Sequence, residues 1–586
     1  MKSIPSLVFC ILSFAVFAGP EPWRNGERVP LWPEGRIPDF QAHQIGAMTD
    51  EAGGYPKKPK AGFDAAANRM PYLEWFAAPA EKPARGCMIL VSGGSYNHCC
   101  DVGLVKTWRD TFTKLGFQCV NLVYRTPRAK GLPCYQSAWE DGQRAVRLVR
   151  RDAAKRGFDS EKIGAIGMSA GGHLVCMLAT SALTPAYARV DETDDIPCHI
   201  NWAIANAPAY NTATAADGVP RPQDGTTFTD LKVNPCFKFD AKTCPISFHH
   251  GGKDPWTPNG STQCYRELRK LKIPAELHLY ADKAHGAHGL GRALEFMHQM
   301  NFDGRLAAEE ERRIFTGAHT AEQVKEFLWP EGKMPSKQSC QTNAPYLTWY
   351  IPKTLKTKAI QVITPGGGYI HCNAKGEGLP VAEYLNAKGM TAVVVMYRCP
   401  RPKGLAKHVT AWQDAQRAIR MVRSEAPGRG LDPDRIGIMG FSAGGHLTLM
   451  CATSSTVPAY EPIDEIDKAP CKVQWACPIY PAYALTDGAD SPNKDGGNLD
   501  DSEPVPEFLF DINTPPMCFM HGDADGWAAM NSVKCWERLR RMGVQCDLHT
   551  LAKRGHCFQS KAAPGTGSWT WLDQIWDFLS RKGLNK

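Results

Sequence analysis

One segment of this 586-residue chain is written twice. Gly167-Met168-Ser169-Ala170-Gly171-Gly172-His173-Leu174 returns as Gly440-Phe441-Ser442-Ala443-Gly444-Gly445-His446-Leu447, a shift of 273 residues from Ser169 to Ser442. The same shift carries Tyr124-Arg125 onto Tyr397-Arg398, and Trp139, Asp141 and Arg144 onto Trp412, Asp414 and Arg417. It also carries Cys198 and Trp202 onto Cys471 and Trp475, and Pro208-Ala209-Tyr210 onto Pro481-Ala482-Tyr483. Further along the shift becomes 271, setting Asp254 opposite Asp525 and His285 opposite His556. One register with a single small slip requires two copies of one domain. A period this long is a duplication, not a solenoid, whose repeats run about 20–50 residues.

The ends and composition fit that division. Each copy opens with Leu-Trp-Pro-Glu-Gly, at Leu31 to Gly35 and at Leu328 to Gly332, which sets copy one at 19–315 and copy two at 316–586. Residues 1–18 read as a cleavable export signal: Lys2 is the charged start, Ile4 to Phe17 the apolar run, Ala18 the small residue at the cut. That run is too short for a stable membrane span, so the expected product is secreted or periplasmic and free of the membrane. The net charge of +8 is spread thinly, which argues against nucleic acid as a partner. The 21 cysteines are scattered, and those in apolar runs (Cys87, Cys119, Cys518) read as buried free thiols. No CxxC pair and no HExxH occurs, so no metal and no cofactor is expected.

Within each copy, apolar strand-like runs alternate with amphipathic helical ones. Cys87 to Val91 and Ala359 to Ile363 lead into glycine turns, and Gln118 to Val123 and Thr391 to Met396 follow. Ala138 to Arg151 and Ala411 to Arg423 have helical spacing. The alternation predicts a mostly parallel sheet flanked by helices, twice over.

Ile163 to Gly167 and Ile436 to Gly440 are short strands that end at Ser169 and Ser442, and a helix opens directly after. A Gly-x-Ser-x-Gly motif in that context is a nucleophile elbow. A serine hydroxyl attacks only when an imidazole takes its proton and a carboxylate steadies that imidazole. The later strands supply both: Asp254 and His285 in copy one, Asp525 and His556 in copy two. The shared His-Gly-x-x-Asp spacing favours Asp525 over Asp523, and the common offset favours His285 over His288. Backbone N–H groups must hold the oxyanion. The candidates are Ala170 with Gly94 and Ser95, and Ala443 with Gly367 and Gly368. Ser95 replaces the last glycine of the turn, so its function depends on Ser95 adopting the glycine dihedral. Tyr96 and His98, with Tyr369 and His371, follow these turns, and Trp256 and Trp527 sit two residues past the acids. All six are candidates for contact with substrate.

Gly-Gly-Gly-Tyr before the elbow, Gly-x-Ser-Ala-Gly-Gly-His-Leu, and His-Gly-x-x-Asp followed by a late histidine resemble the hormone-sensitive-lipase-like branch of the α/β-hydrolases. The Trp-Pro opening and the Asp-rich stretches Asp191 to Cys198 and Asp464 to Cys471 make the chain similar to bacterial acetyl-xylan and feruloyl esterases. Ser92, Pro365 and Ser95 depart from the pattern. The resemblance implies two tandem α/β-hydrolase domains and a double-headed esterase. Its partner would be an acylated polysaccharide or oligosaccharide, from which it removes acetyl or feruloyl esters. Prolyl-oligopeptidase-type peptidases share the elbow and the order of residues, but carry a long propeller first, whereas here the first motif begins by residue 92.

Overall fold

The computed structural model describes residues 25–39, 70–79, 81, 84–99, 102–129, 131–212, 232–303, 316–337, 344–486, 502–558 and 570–586. The expected export signal lies outside them. In copy one the strands are β1 (Glu27–Pro30), β2 (Tyr72–Phe76), β3 (Cys87–Val91), β4 (Gln118–Val123), β5 (Ile163–Met168), β6 (Trp202–Asn206), β7 (Ile246–Gly251) and β8 (Ala275–Tyr280). Copy two supplies β9 (Thr320–Phe327), β10 (Tyr346–Pro352), β11 (Ile360–Thr364), β12 (Thr391–Met396), β13 (Ile436–Phe441), β14 (Trp475–Ile479), β15 (Met517–Gly522) and β16 (Cys546–Leu551).

All of them join one 16-stranded sheet in the order β1-β2-β4-β3-β5-β6-β7-β8-β16-β15-β14-β13-β11-β12-β10-β9. The run from β4 to β8 is parallel, and so is the run from β12 to β16. Within each half, only the two outer strands are antiparallel. Strands such as β3, β11 and β14 are buried along their whole length, as expected where helices cover both faces. Cys87, Cys119 and Cys518 are buried free thiols.

The two halves meet where β8 pairs antiparallel with β16. Equivalent strands face each other, so the contacts come in reciprocal pairs. The Ala281 N–H donates to Asp547 (2.8 Å), and the Ala552 N–H donates to Glu276 (3.0 Å). His278 meets His549 at 3.2 Å. Arg292 stands on Glu276, and Arg581 on Asp547. Asp523 breaks the symmetry, because copy one has Gly252 there. Its carboxylate accepts from Tyr265 (2.8 Å) and Arg269 (2.9 Å) of the other half.

A second shared network ties the Trp-Pro openings down. Trp32 and Trp329 donate their indole N–H groups to Asp141 and Asp414, both at 2.7 Å. The same carboxylates hold Arg125 and Arg398. Arg144 and Arg417 fork onto Asp191 and Asp464, which cap the short helices Glu192–Asp195 and Glu465–Lys468. Buried arginines need such partners, since an unpaired buried charge costs several kcal/mol. The repeated Asp and Arg positions, together with Trp32 and Trp329, form a structural network.

Candidate functional site

Ser169 and Ser442 sit between a strand and a helix, β5 and Ala170–Thr180 in one copy, β13 and Ala443–Thr453 in the other. Their backbones are left-handed, at φ 57° and 54°. A non-glycine residue there is strained, and such strain persists only where the surroundings enforce it. The turns after β3 and β11 press against these serines. A Cβ built on Gly93 would lie 3.0 Å from the Ser169 Cβ, and one on Gly366 would lie 3.0 Å from the Ser442 Cβ. Gly94 and Ser95, and Gly367 and Gly368, therefore line the same corner as Ala170 and Ala443. Ser95 adopts φ 53° where Gly368 has 64°, so copy one keeps the turn with a strained residue. Arg128 and Arg401 donate to the carbonyls of Ser95 and Gly368 at 2.9 and 3.0 Å.

In copy two the expected residues form a continuous chain. His556 Nε2 lies 2.8 Å from Ser442 Oγ, and His556 Nδ1 lies 2.7 Å from Asp525 Oδ2. Asp525, not Asp523, meets the imidazole. In copy one His285 Nδ1 lies 2.8 Å from Asp254 Oδ2, but among the described residues Ser169 makes no hydrogen bond to His285. His288 turns away and bonds the carbonyl of Ala284.

The acids have a second imidazole, which the sequence reading passed over. His250 Nε2 is 3.1 Å from Asp254 and His521 Nε2 is 3.4 Å from Asp525. Their other nitrogens bond Ser261 (2.9 Å) and Ser532 (2.8 Å). The signal was the histidine of the shared His-Gly-x-x-Asp pattern. Burial alone pushes both carboxyls up, but the flanking imidazoles outweigh it and hold Asp254 and Asp525 well below the usual carboxylate range. Both acids stay anionic, which suits the stabilisation of an imidazolium.

Copy two has two further groups without a counterpart. Tyr480 lies edge-on to the His556 ring, centroids 4.8 Å apart, and donates its hydroxyl to Glu377 at 3.0 Å. Glu377 also accepts from the Gly366 N–H at 2.5 Å, joining the glycine turn to the histidine wall. Burial raises this carboxyl to about 7. The repeat places Ala207 and Leu104 at these positions in copy one.

The candidates for substrate contact divide. Tyr96 and Tyr369 are 1 % exposed, and their hydroxyls bond His173 (2.7 Å) and His446 (2.9 Å) of the helices after the elbows. Both rings are core supports of the turn, which corrects the expectation that they line a pocket. His98 is half-buried and His371 exposed beside the turns. Trp256 and Trp527 are half-buried, pack on Tyr210 and Tyr483, and donate backbone N–H groups to Asp254 and Asp525 at 2.8 Å.

The sequence profile of the BD-FAE family matches residues 73–189 and 347–537, more than half of the chain and part of each copy. That of the prolyl oligopeptidase family matches residues 144–302. An acetylxylan esterase from Xylanibacter ruminicola is 28 % identical over 229 residues, 38 % of this chain and 44 % of that protein. Endo-1,4-beta-xylanase B of Butyrivibrio fibrisolvens is 29 % identical over 219 residues, 34 % of this chain and 32 % of its own length. The chain thus spans less than half of these curated relatives. Among solved structures, an acetyl ester-xyloside bifunctional hydrolase from Caldicellulosiruptor lactoaceticus aligns over 45 % of this chain and 97 % of its own, with 26 % identity and a TM-score of 0.36.

Proposed function

Given that the chain belongs to the BD-FAE family, an α/β-hydrolase family, we propose that it is an exported double-headed serine esterase. It removes acetyl or feruloyl groups from polysaccharides. The observation that carries the reading is the Ser442–His556–Asp525 chain, with its 2.8 and 2.7 Å links.

In copy two Ser442 Oγ attacks the ester carbonyl while His556 takes its proton. Asp525 holds the resulting imidazolium, with His521 fixing the carboxylate from behind. Backbone N–H groups of Ala443, Gly367 and Gly368 receive the tetrahedral oxyanion, whose stabilisation is the largest single contribution in such reactions. As the intermediate collapses and the bond to the sugar oxygen breaks, His556 protonates that oxygen, which leaves as the sugar hydroxyl. Water repeats the sequence on the acyl-enzyme and releases the acid. Ser169, His285 and Asp254, with Ala170, Gly94 and Ser95, fill the same roles in copy one. His98, His371, Trp256 and Trp527 are the proposed contacts to the sugar.

The xylan-related names of the relatives support the substrate class. The double variant Ser169→Ala/Ser442→Ala abolishes hydrolysis of 4-nitrophenyl acetate and release of acetate or ferulate from acylated glycans. Full activity in that variant would sink the mechanism. The prolyl oligopeptidase match over 144–302 favours a second reading, a serine peptidase. Cleavage of a proline-containing peptide anilide in preference to the acylated glycans would select it.

A further inference from the structure

Copy two carries a thiol pair at positions where copy one has a cysteine and a threonine. Cys372 follows the glycine turn after β11, and Cys399 lies just beyond β12. Their sulfurs are 3.6 Å apart. The repeat sets Cys99 opposite Cys372 and Thr126 opposite Cys399, so copy one cannot make the corresponding pair. Cys99 and Cys372 hold the same place, each 3.5 Å from the carbonyl of its tyrosine, Tyr124 or Tyr397. The second cysteine is thus an addition to an otherwise shared corner.

We propose that Cys372 and Cys399 form a disulfide that braces the oxyanion turn of copy two. A disulfide has its sulfurs about 2.05 Å apart, so closing the present gap takes about 1.5 Å of movement, within reach of side-chain rotation. Both cysteines are half-buried, which leaves room for a small disulfide such as oxidised glutathione to react. One thiolate attacks that disulfide, forming a mixed disulfide and releasing one glutathione thiol. The second thiolate then displaces the other glutathione. The protein pair loses two protons and two electrons, and the oxidant gains them as two thiols.

The link would fall at a useful place. The segment holding Cys372 is hydrogen-bonded to the turn, with Asn373 N–H donating to the Gly366 carbonyl at 2.9 Å. The segment holding Cys399 already reaches the turn through Arg401, which contacts both the Gly368 carbonyl and the Tyr483 hydroxyl (2.8 Å). A covalent bond would join two strips that polar contacts now hold in register. It would also fix the position of the Gly366 to Gly368 donors.

The test equilibrates the full chain with oxidised or reduced glutathione, caps free thiols with N-ethylmaleimide, and maps the unreduced peptides by mass spectrometry. The expected result is a Cys372–Cys399 linked peptide in the oxidised sample alone. Maleimide on both cysteines after oxidation overturns the proposal, as does a link from either one to a different cysteine. Cys399→Thr, which installs the copy-one residue, is the folded control and removes the link. The bracing role rests on the esterase reading and is measured in Ser169→Ala protein, where only Ser442 acts. Oxidation should lengthen the half-life of that activity on heating by roughly threefold or more, and Cys399→Thr should cancel the gain. A linked peptide with an unchanged half-life overturns the bracing role. Absence of any activity in Ser169→Ala protein would count against the esterase reading of copy two, while the peptide map still decides the disulfide.

Discussion

The two halves share every strand, the same elbow and the same acid–imidazole pair, yet they differ at the serine. In copy two His556 reaches Ser442 at 2.8 Å, whereas His285 is bonded to Asp254 and not to Ser169. The nearest substitutions lie behind the imidazole. Tyr480, Phe558 and Phe441 of copy two answer to Ala207, Ala287 and Met168 of copy one. Tyr480 packs against both His556 and Phe558. An imidazole held on one side only by its carboxylate can still swing about that bond. A ring wall on the other side removes the freedom. On the proposed mechanism, the shared Ser, His and Asp set which residues are available, while the wall decides whether they are pre-aligned.

The largest expected effect is on the division of labour. General-base assistance is worth about 10²–10⁴ in rate and depends on alignment. Ser442→Ala should therefore remove about nine-tenths or more of the hydrolysis of 4-nitrophenyl acetate, and Ser169→Ala less than half. The rates of both single variants, measured at equal protein concentration, decide it. Equal losses would break the comparison and show that substrate binding aligns His285 as well.

Next in size is the wall itself. In Ser169→Ala protein, Tyr480→Ala should lower kcat of copy two by about 30-fold with KM little changed, because it releases the imidazole without touching the substrate side. Tyr480→Phe keeps the ring and loses only the bond to Glu377, so its loss should be a few-fold. A matching loss in both variants would transfer the effect from the ring to the hydroxyl.

How far the sequence could be read follows from what the repeat contains. Strand–turn–helix elbows and the His-Gly-x-x-Asp loops are local patterns, and a common offset separates Asp525 from Asp523 and His285 from His288. A repeat, however, exposes only what both copies keep. Glu377 and Tyr480 stand opposite leucine and alanine, so the comparison of copies hid them. Asp523 serves the joint between halves, a contact with no counterpart. The β8–β16 joint was hidden because a pairing between equivalent strands leaves no pattern in either one. Recurrence alone does not separate a packing role from a substrate role: Tyr96 and Tyr369 recur as buried rings bonded to His173 and His446.

The smallest effect is one of pH, and only copy two can show it. Glu377 is buried against the Gly366 N–H and the Tyr480 hydroxyl, and the His556 side of the site partly offsets the effect of that burial on its charge. Burial lifts its carboxyl from the ordinary 4.5 to about 7. The folded state then holds this proton more tightly than the unfolded chain. Its contribution to stability is full below about pH 4.5 and is lost as the pH rises through 7. The span corresponds to roughly 3 kcal/mol, since one pKa unit is worth about 1.4 kcal/mol. Glu377→Gln keeps the shape and removes the titration. Urea denaturation at pH 5 and pH 8 should show the wild type losing more stability than the variant between the two. Equal losses would mean that Glu377 does not change its charge across that range.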